Sequence, residues 1–168
     1  MLNKPKKLDI VLYPDKRLRQ PSVKINNPLD ESIQQLIADM KLTMQNANGI
    51  GLAAPQVGKN INLILVDDGS GPKVFINPVI IYSSRSQNIF EEGCLSIPEV
   101  FGQVMRPEKV WLFYRDENNK FHFKISSGLE ARILQHEVDH LRGVLFIDKT
   151  LKITQGTEKL ELYESNAK

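Results

Sequence analysis

The sequence predicts an α+β fold: a compact single domain with antiparallel or mixed sheets packed around a central metal-binding helix. Three observations carry that prediction. A stretch of helical period is followed by several of strand period and then by a second of helical period. The chain has 168 residues, enough to bury roughly 70% of its unfolded surface in one core without cross-links. The second helical stretch sets two histidines, His136 and His140, on its apolar side.

The elements follow in order. The segment up to Asn27, rich in Pro, Lys and Arg, reads as an extended lead-in. Pro28-Leu29-Asp30-Glu31 opens a helix, with Asp30 or Ser32 at its cap. Ile33, Leu36, Ile37, Met40, Met44 and Ala47 keep helical spacing and give one buried stripe, which Asn48-Gly49 ends. Ile61–Val66 and Val74–Ile76 read as strands split by the turn Asp67-Asp68-Gly69-Ser70-Gly71. Lys109–Tyr114 and Phe121–Ile125 flank Glu117-Asn118-Asn119 as a hairpin, with His122 on its outward face. Ser126-Ser127-Gly128 leads into the second helix, and Gly143 stands where a C-terminal glycine belongs. Residues 151–168 form a short appendage to the domain, a strand remnant followed by a polar helix.

Composition narrows the function. Hydrophobic residues make up 41% and charged residues 25%, which is ordinary for a globular chain. The 22 basic and 20 acidic residues leave a net charge of +2, without the basic excess that a DNA-binding surface shows. A single cysteine permits no intrachain disulfide and suits a reducing compartment. No apolar run follows the basic residues of Met1–Lys7 to make a signal peptide. Ile61–Val66, interrupted by Asn62, is far too short to span a membrane. The expectation is a cytoplasmic protein without a membrane partner.

His136-Glu137-Val138-Asp139-His140 is the sharpest chemical signal. Histidines four apart on a helix stand one turn apart on one face, so both rings can reach one ion. Leu129, Ile133, His136 and His140 share a stripe, while Arg132, Gln135, Asp139 and Arg142 form a separate polar one. The histidines therefore point inward, where ring nitrogens need partners. An open catalytic site of this kind wants a third protein ligand. A third histidine downstream is excluded, because Phe146 holds that position. A glutamate of the tail (Glu158, Glu161 or Glu164) is one candidate, and Cys94 is another. A glycine before Cys94 and Pro98 after it argue for a shaped loop. Together with the histidine pair, that favours the thiolate.

Gly49-Ile50-Gly51-Leu52-Ala53-Ala54-Pro55-Gln56, Glu92-Gly93-Cys94-Leu95-Ser96 and Gln135-His136-Glu137-Val138-Asp139-His140 closely resemble, in order and spacing, the three signature motifs of peptide deformylases. The likeness covers most of Leu8 to Lys149. It implies an amidase that removes the formyl group from N-formylmethionyl ends of nascent polypeptides. It implies Cys94, His136 and His140 as ligands of one divalent ion, ferrous iron natively, with zinc, nickel or cobalt able to replace it. Glu137 matches the acid/base, and Gln56 with the Leu95 N–H matches the oxyanion donors.

Ile50, Gly51, Glu92, Gly93, Arg132 and Ile133 are the expected substrate-binding residues. Ile50 and Gly51 let an extended peptide approach the backbone. Leu129 reads as core, and Arg132 either rims the methionine pocket or is solvated. Two features depart from the family pattern. Phe101 stands where some members carry arginine. The tail has Glu158, Glu161 and Glu164 against Lys159 and Lys168, which argues against a basic helix docking on the ribosome. A monomer is expected.

Overall fold

The computed structural model describes residues 2–165; Met1 and Lys168 of the sequence reading lie outside them. Helix α1 (Glu31–Asn46) starts where the side chain of Asp30 accepts from Ser32 N at 2.9 Å. It buries Ile37, Met40 and Met44. Two polar residues on its buried side strap down the lead-in, as Asp39 accepts from Lys6 N and Thr43 Oγ1 accepts from Leu8 N. Strands β1 (Gly51–Ala53), β2 (Leu63–Val66), β3 (Lys73–Ser83), β4 (Gln87–Cys94), β5 (Ile97–Pro107), β6 (Lys109–Arg115) and β7 (Phe121–Ser127) precede α2 (Gly128–Leu141). Then β8 (Thr150–Gln155) and α3 (Thr157–Ser165) complete the described chain.

The strands form two sheets, β1-β2-β3-β6-β7 and β4-β5-β8, with every strand pair antiparallel. A lone parallel bridge joins Val23 to Ile61. Helix α2 lies against both sheets, touching β1, β2, β6 and β7 on one side and β5 on the other. Its Ala131, Ile133, Leu134, Val138 and Leu141 pack with Ile64, Phe75, Val110 and Leu112. Every residue from Ala131 to Leu141 is buried. The stripe of Arg132, Gln135 and Asp139, read from the sequence as a polar face, is therefore interior; a helix covered on all sides has no wet face to offer.

Three further readings differ. Strands β4 and β5 have no counterpart in the sequence reading, because Gly93, Pro98, Gly102 and Pro107 break the usual strand signature. Cys94 consequently sits at a strand end rather than in an open loop: it pairs with Ile97 across Leu95-Ser96. His122 does not face outward. Its ring stacks on Tyr114 and bonds Asp116 Oδ2 at 2.8 Å, and Lys124 two residues on reaches Glu130 of α2. Those contacts turn Phe121, Phe123 and Ile125 to the solvent instead.

Helix α2 stops at Gly143, whose φ of +72° is a left-handed value. A Cβ there would also collide with the Arg19 carbonyl group. Next to this contact the Arg19 guanidinium bonds Asp148, so the lead-in is stapled to the turn after α2. Gly143→Ala is expected to cost at least about 2 kcal/mol, strain plus backbone displacement, read as a lowered midpoint in urea unfolding. Burial tends to raise the Asp148 carboxyl, but Arg19 outweighs it and holds it below the ordinary carboxylate value. A depressed pKa stabilises above the unfolded-state value and is lost as pH falls through the folded one. Arg19→Met should accordingly lower stability at neutral pH, and its deficit against wild type should shrink on acidification below about pH 4.

Candidate metal centre and its cleft

Helix α2 delivers two rings and β4 delivers a sulfur to one point. The ligand atoms of Cys94, His136 and His140 all lie within 4.8 Å of one another. Cys94 Sγ is 3.3 Å from His140 Nε2, and the two rings stand edge to face with centroids 5.1 Å apart. One sulfur and two imidazole nitrogens form a donor set that suits a divalent transition ion. A buried atom beside the cluster supports the fit: Glu137 Oε2 has no hydrogen-bond partner among the described residues. None of the tail glutamates belongs to this cluster, and α3 packs through Leu160 and Tyr163 against the core that contains Val100 and Val104 of β5.

Behind the rings lies a network of buried charge. His136 Nδ1 meets Glu92 Oε2 at 2.9 Å, which turns its Nε2 toward the cysteine side. Arg106 of β5 grips the same carboxylate with two nitrogens at 2.6 and 2.9 Å and reaches Asp139 at 2.7 Å. Lys149 bonds both oxygens of Asp139, at 2.8 and 2.7 Å. Arg132 gives Glu92 a further bond at 2.5 Å, and also bonds the Val104 carbonyl and Asn88. Burial would raise the Glu92 carboxyl, but Arg106 and His136 outweigh it and hold it well below the usual range.

The same charges split the two histidines. Burial works against a charged His136, yet Cys94 and Glu92 override it and push the ring up to about 10. Burial and the neighbouring His136 keep His140 far below its ordinary value. Glu137 sits beneath the cleft floor, where burial pushes its carboxyl up to about 7 against the opposing pull of His136 and Arg106.

Gly51 makes room for that carboxyl. A Cβ there would lie 2.8 Å from Ile133 Cγ2 and 2.9 Å from Glu137 Cδ, and the backbone is not left-handed, so close approach alone demands glycine. Gln56 is held in turn: its Oε1 accepts from Ala53 N at 2.8 Å. Its Nε2 lies 3.4 Å from Cys94 Sγ and 3.3 Å from Ser96 Oγ. The amide donor is thereby aimed at the point where the three ligands meet.

A cleft of about 500 Å³ opens over this point. Ile50, Gly51, Gln56, Gly93, Leu95 and Ile133 line it, with His136 and Glu137 at its floor. Leu129, read from the sequence as core, is 60% exposed and also borders the cleft, as does Phe101. Arg132 and Glu92 contribute to the wall, but their charged ends are engaged with each other and with β4 and β5. Sequence reading missed Arg106 and Lys149. Arg106 occupies an inward position of the alternation Val100, Gly102, Val104, Arg106, a signal available once β5 is recognised as a strand. Lys149 carried no signal of its own.

Residues 7–156 match the family model described as polypeptide deformylase. The peptide deformylase of Prochlorococcus marinus is 46% identical over 160 residues, spanning 92% of this chain and 77% of that protein. The one from Bradyrhizobium diazoefficiens is 43% identical and spans 95% and 96%. Among solved structures, the peptide deformylase of Synechococcus elongatus in complex with actinonin superposes with a TM-score of 0.83 at 43% identity. That match covers 98% of this chain and 88% of the other. The Thermotoga maritima peptide deformylase reaches 0.84 at 36% identity, over 87% and 99% of the two chains. With motifs, fold and these relatives in agreement, the chain belongs to the peptide deformylase family.

Proposed function

We propose that this chain hydrolyses the N-formyl group of N-formylmethionyl polypeptides, releasing formate, with Cys94, His136 and His140 holding one divalent ion. The reading is carried above all by the convergence of those three ligand atoms next to the buried Glu137 carboxyl at the floor of a cleft. When bound, a divalent ion supplies a Lewis acid that lowers the pKa of water toward about 7 and polarises a carbonyl.

The chain's own groups do the rest. Glu137 accepts a proton from the attacking water and returns it to the departing amine nitrogen, so the formamide C–N bond breaks while a C–O bond forms. Gln56 Nε2 and the Leu95 N–H donate to the oxygen that gains charge; one such donor is worth about 3–4 kcal/mol of transition-state stabilisation. Ile50 and Gly51 offer an exposed edge to an extended peptide. Ile133 and Leu129 give its first side chain an apolar wall.

Glu92 and Arg132 support the site from behind. Glu92 fixes the orientation of the His136 ring, and Arg132 fixes Glu92. Ferrous iron is the proposed native ion, with zinc, nickel or cobalt as substitutes that the same ligands accept. Nascent chains are the proposed partners and the cytoplasm the proposed compartment. The glutamates on α3 disfavour docking on ribosomal RNA.

The direct test is formate release from formyl-Met-Ala-Ser by protein purified anaerobically. Glu137→Ala should lower kcat by at least about 100-fold while the metal content stays at one ion per chain. Normal turnover in that variant would remove Glu137 from the reaction. Metal content separates this reading from a protease-like site with a tail ligand. Cys94→Ser should lose its ion on gel filtration and Glu161→Gln should keep it, as elemental analysis would read. The opposite pattern would overturn the ligand assignment.

A further inference from the structure

The hairpin of β6 and β7 carries its apolar residues on the wrong side for a solvent-facing sheet. Val110 and Leu112 point in toward α2, but Trp111, Phe113, Phe121, Phe123 and Ile125 alternate with them and point out, all exposed. Tyr82 of β3 joins them: its ring lies 4.7 Å from Trp111, which meets Phe123 at 6.2 Å, and Phe123 meets Phe113 at 5.2 Å. Val79 pairs with Phe113 across the strands, and Ile81 lies beside it on β3, extending the face. With bare aromatic side chains presenting about 150–250 Å² each, these half-exposed residues offer roughly 800 Å². The largest apolar patch on an ordinary monomer is about 300–600 Å². A standard interface takes about 800 Å² from each partner.

We infer that this outer face of β3, β6 and β7 is where two copies of the chain pair about a two-fold axis, against the monomer expected from sequence. A second copy suits the face in three ways. The area matches one side of a stable dimer, and a flat twisted sheet packs on its own copy as the halves of a sandwich do. The rim carries both signs, Glu108 and Lys109 at one end of β6, Arg115 and Asp116 at the other. With both signs at each end, the rim presents no single-sign block that would repel an identical copy. The face also has relief: beside Phe121, which is 72% exposed, it drops into a groove of about 340 Å³ reaching Lys24 and Ile25. A ring projecting from one copy can seat there. Because α2 covers the inner side of this sheet, pairing leaves the catalytic cleft open in both copies.

Sedimentation velocity across the micromolar range reads the outcome. Wild type should sediment with the mass of a dimer. Phe123→Lys and, separately, Phe113→Lys should weaken association by at least about 30-fold, the loss of one aromatic hot spot. Both should keep cooperative melting and formate release. Trp111, the sole tryptophan, gives an independent signal: its emission should shift to the red on dilution of wild type and stay red in Phe123→Lys. A wild-type monomer throughout the range, with or without binding to lipid vesicles, would overturn the inference. So would a dimer that both lysine variants leave intact.

Discussion

The carboxylate of Glu92 is the group around which the site is arranged. It is buried, and it ties its own strand β4, which carries Cys94 two residues on, to two other elements: Arg106 from β5, and Arg132 and His136 from α2. A buried anion is costly unless its hydrogen bonds are complete, and here two guanidinium groups and an imidazole complete them. The same bonds fix the distance between β4 and α2. The cysteine and the histidines converge because the strand bearing one and the helix bearing the others are tied through Glu92.

That tie explains why so much charge is tolerated inside a small chain. Arg106 binds both Glu92 and Asp139, and Lys149 completes Asp139, so cations and anions alternate from the cleft to the surface. Removing a member leaves its neighbours with fewer partners in a buried setting, which typically costs more than the pair contributes. The packing side is equally constrained: Gly51 brings β1 against α2 so closely that Ile133 and Glu137 fill the space a methyl group would need.

The broad plan was legible in the sequence. Helical spacing from Ile33 to Met44 and the cap at Asp30 placed α1, and Gly143 marked the end of α2. The His-x-x-x-His pair with Cys94 named the cluster that the structure brings together. Other features were hidden for physical reasons. β4 and β5 contain two prolines and two glycines, so pattern alone argued for a loop. Arg132 and Asp139 read as a polar stripe whose burial stayed hidden, because helical periodicity reports spacing, not how many sides of a helix are covered. The orientation of β7 followed from the hydrogen bond between His122 and Asp116 and the ion pair between Lys124 and Glu130, which alternation cannot reveal.

The burial of α2 from Ala131 to Leu141 has a kinetic corollary. Between Ala131 and Leu141 every residue is buried between the two sheets, so the amide hydrogens of Ile133 to His140 belong with the slowest-exchanging of the chain. Deuterium uptake along that stretch would then report openings that part the helix from the sheets rather than fraying of its exposed first turn.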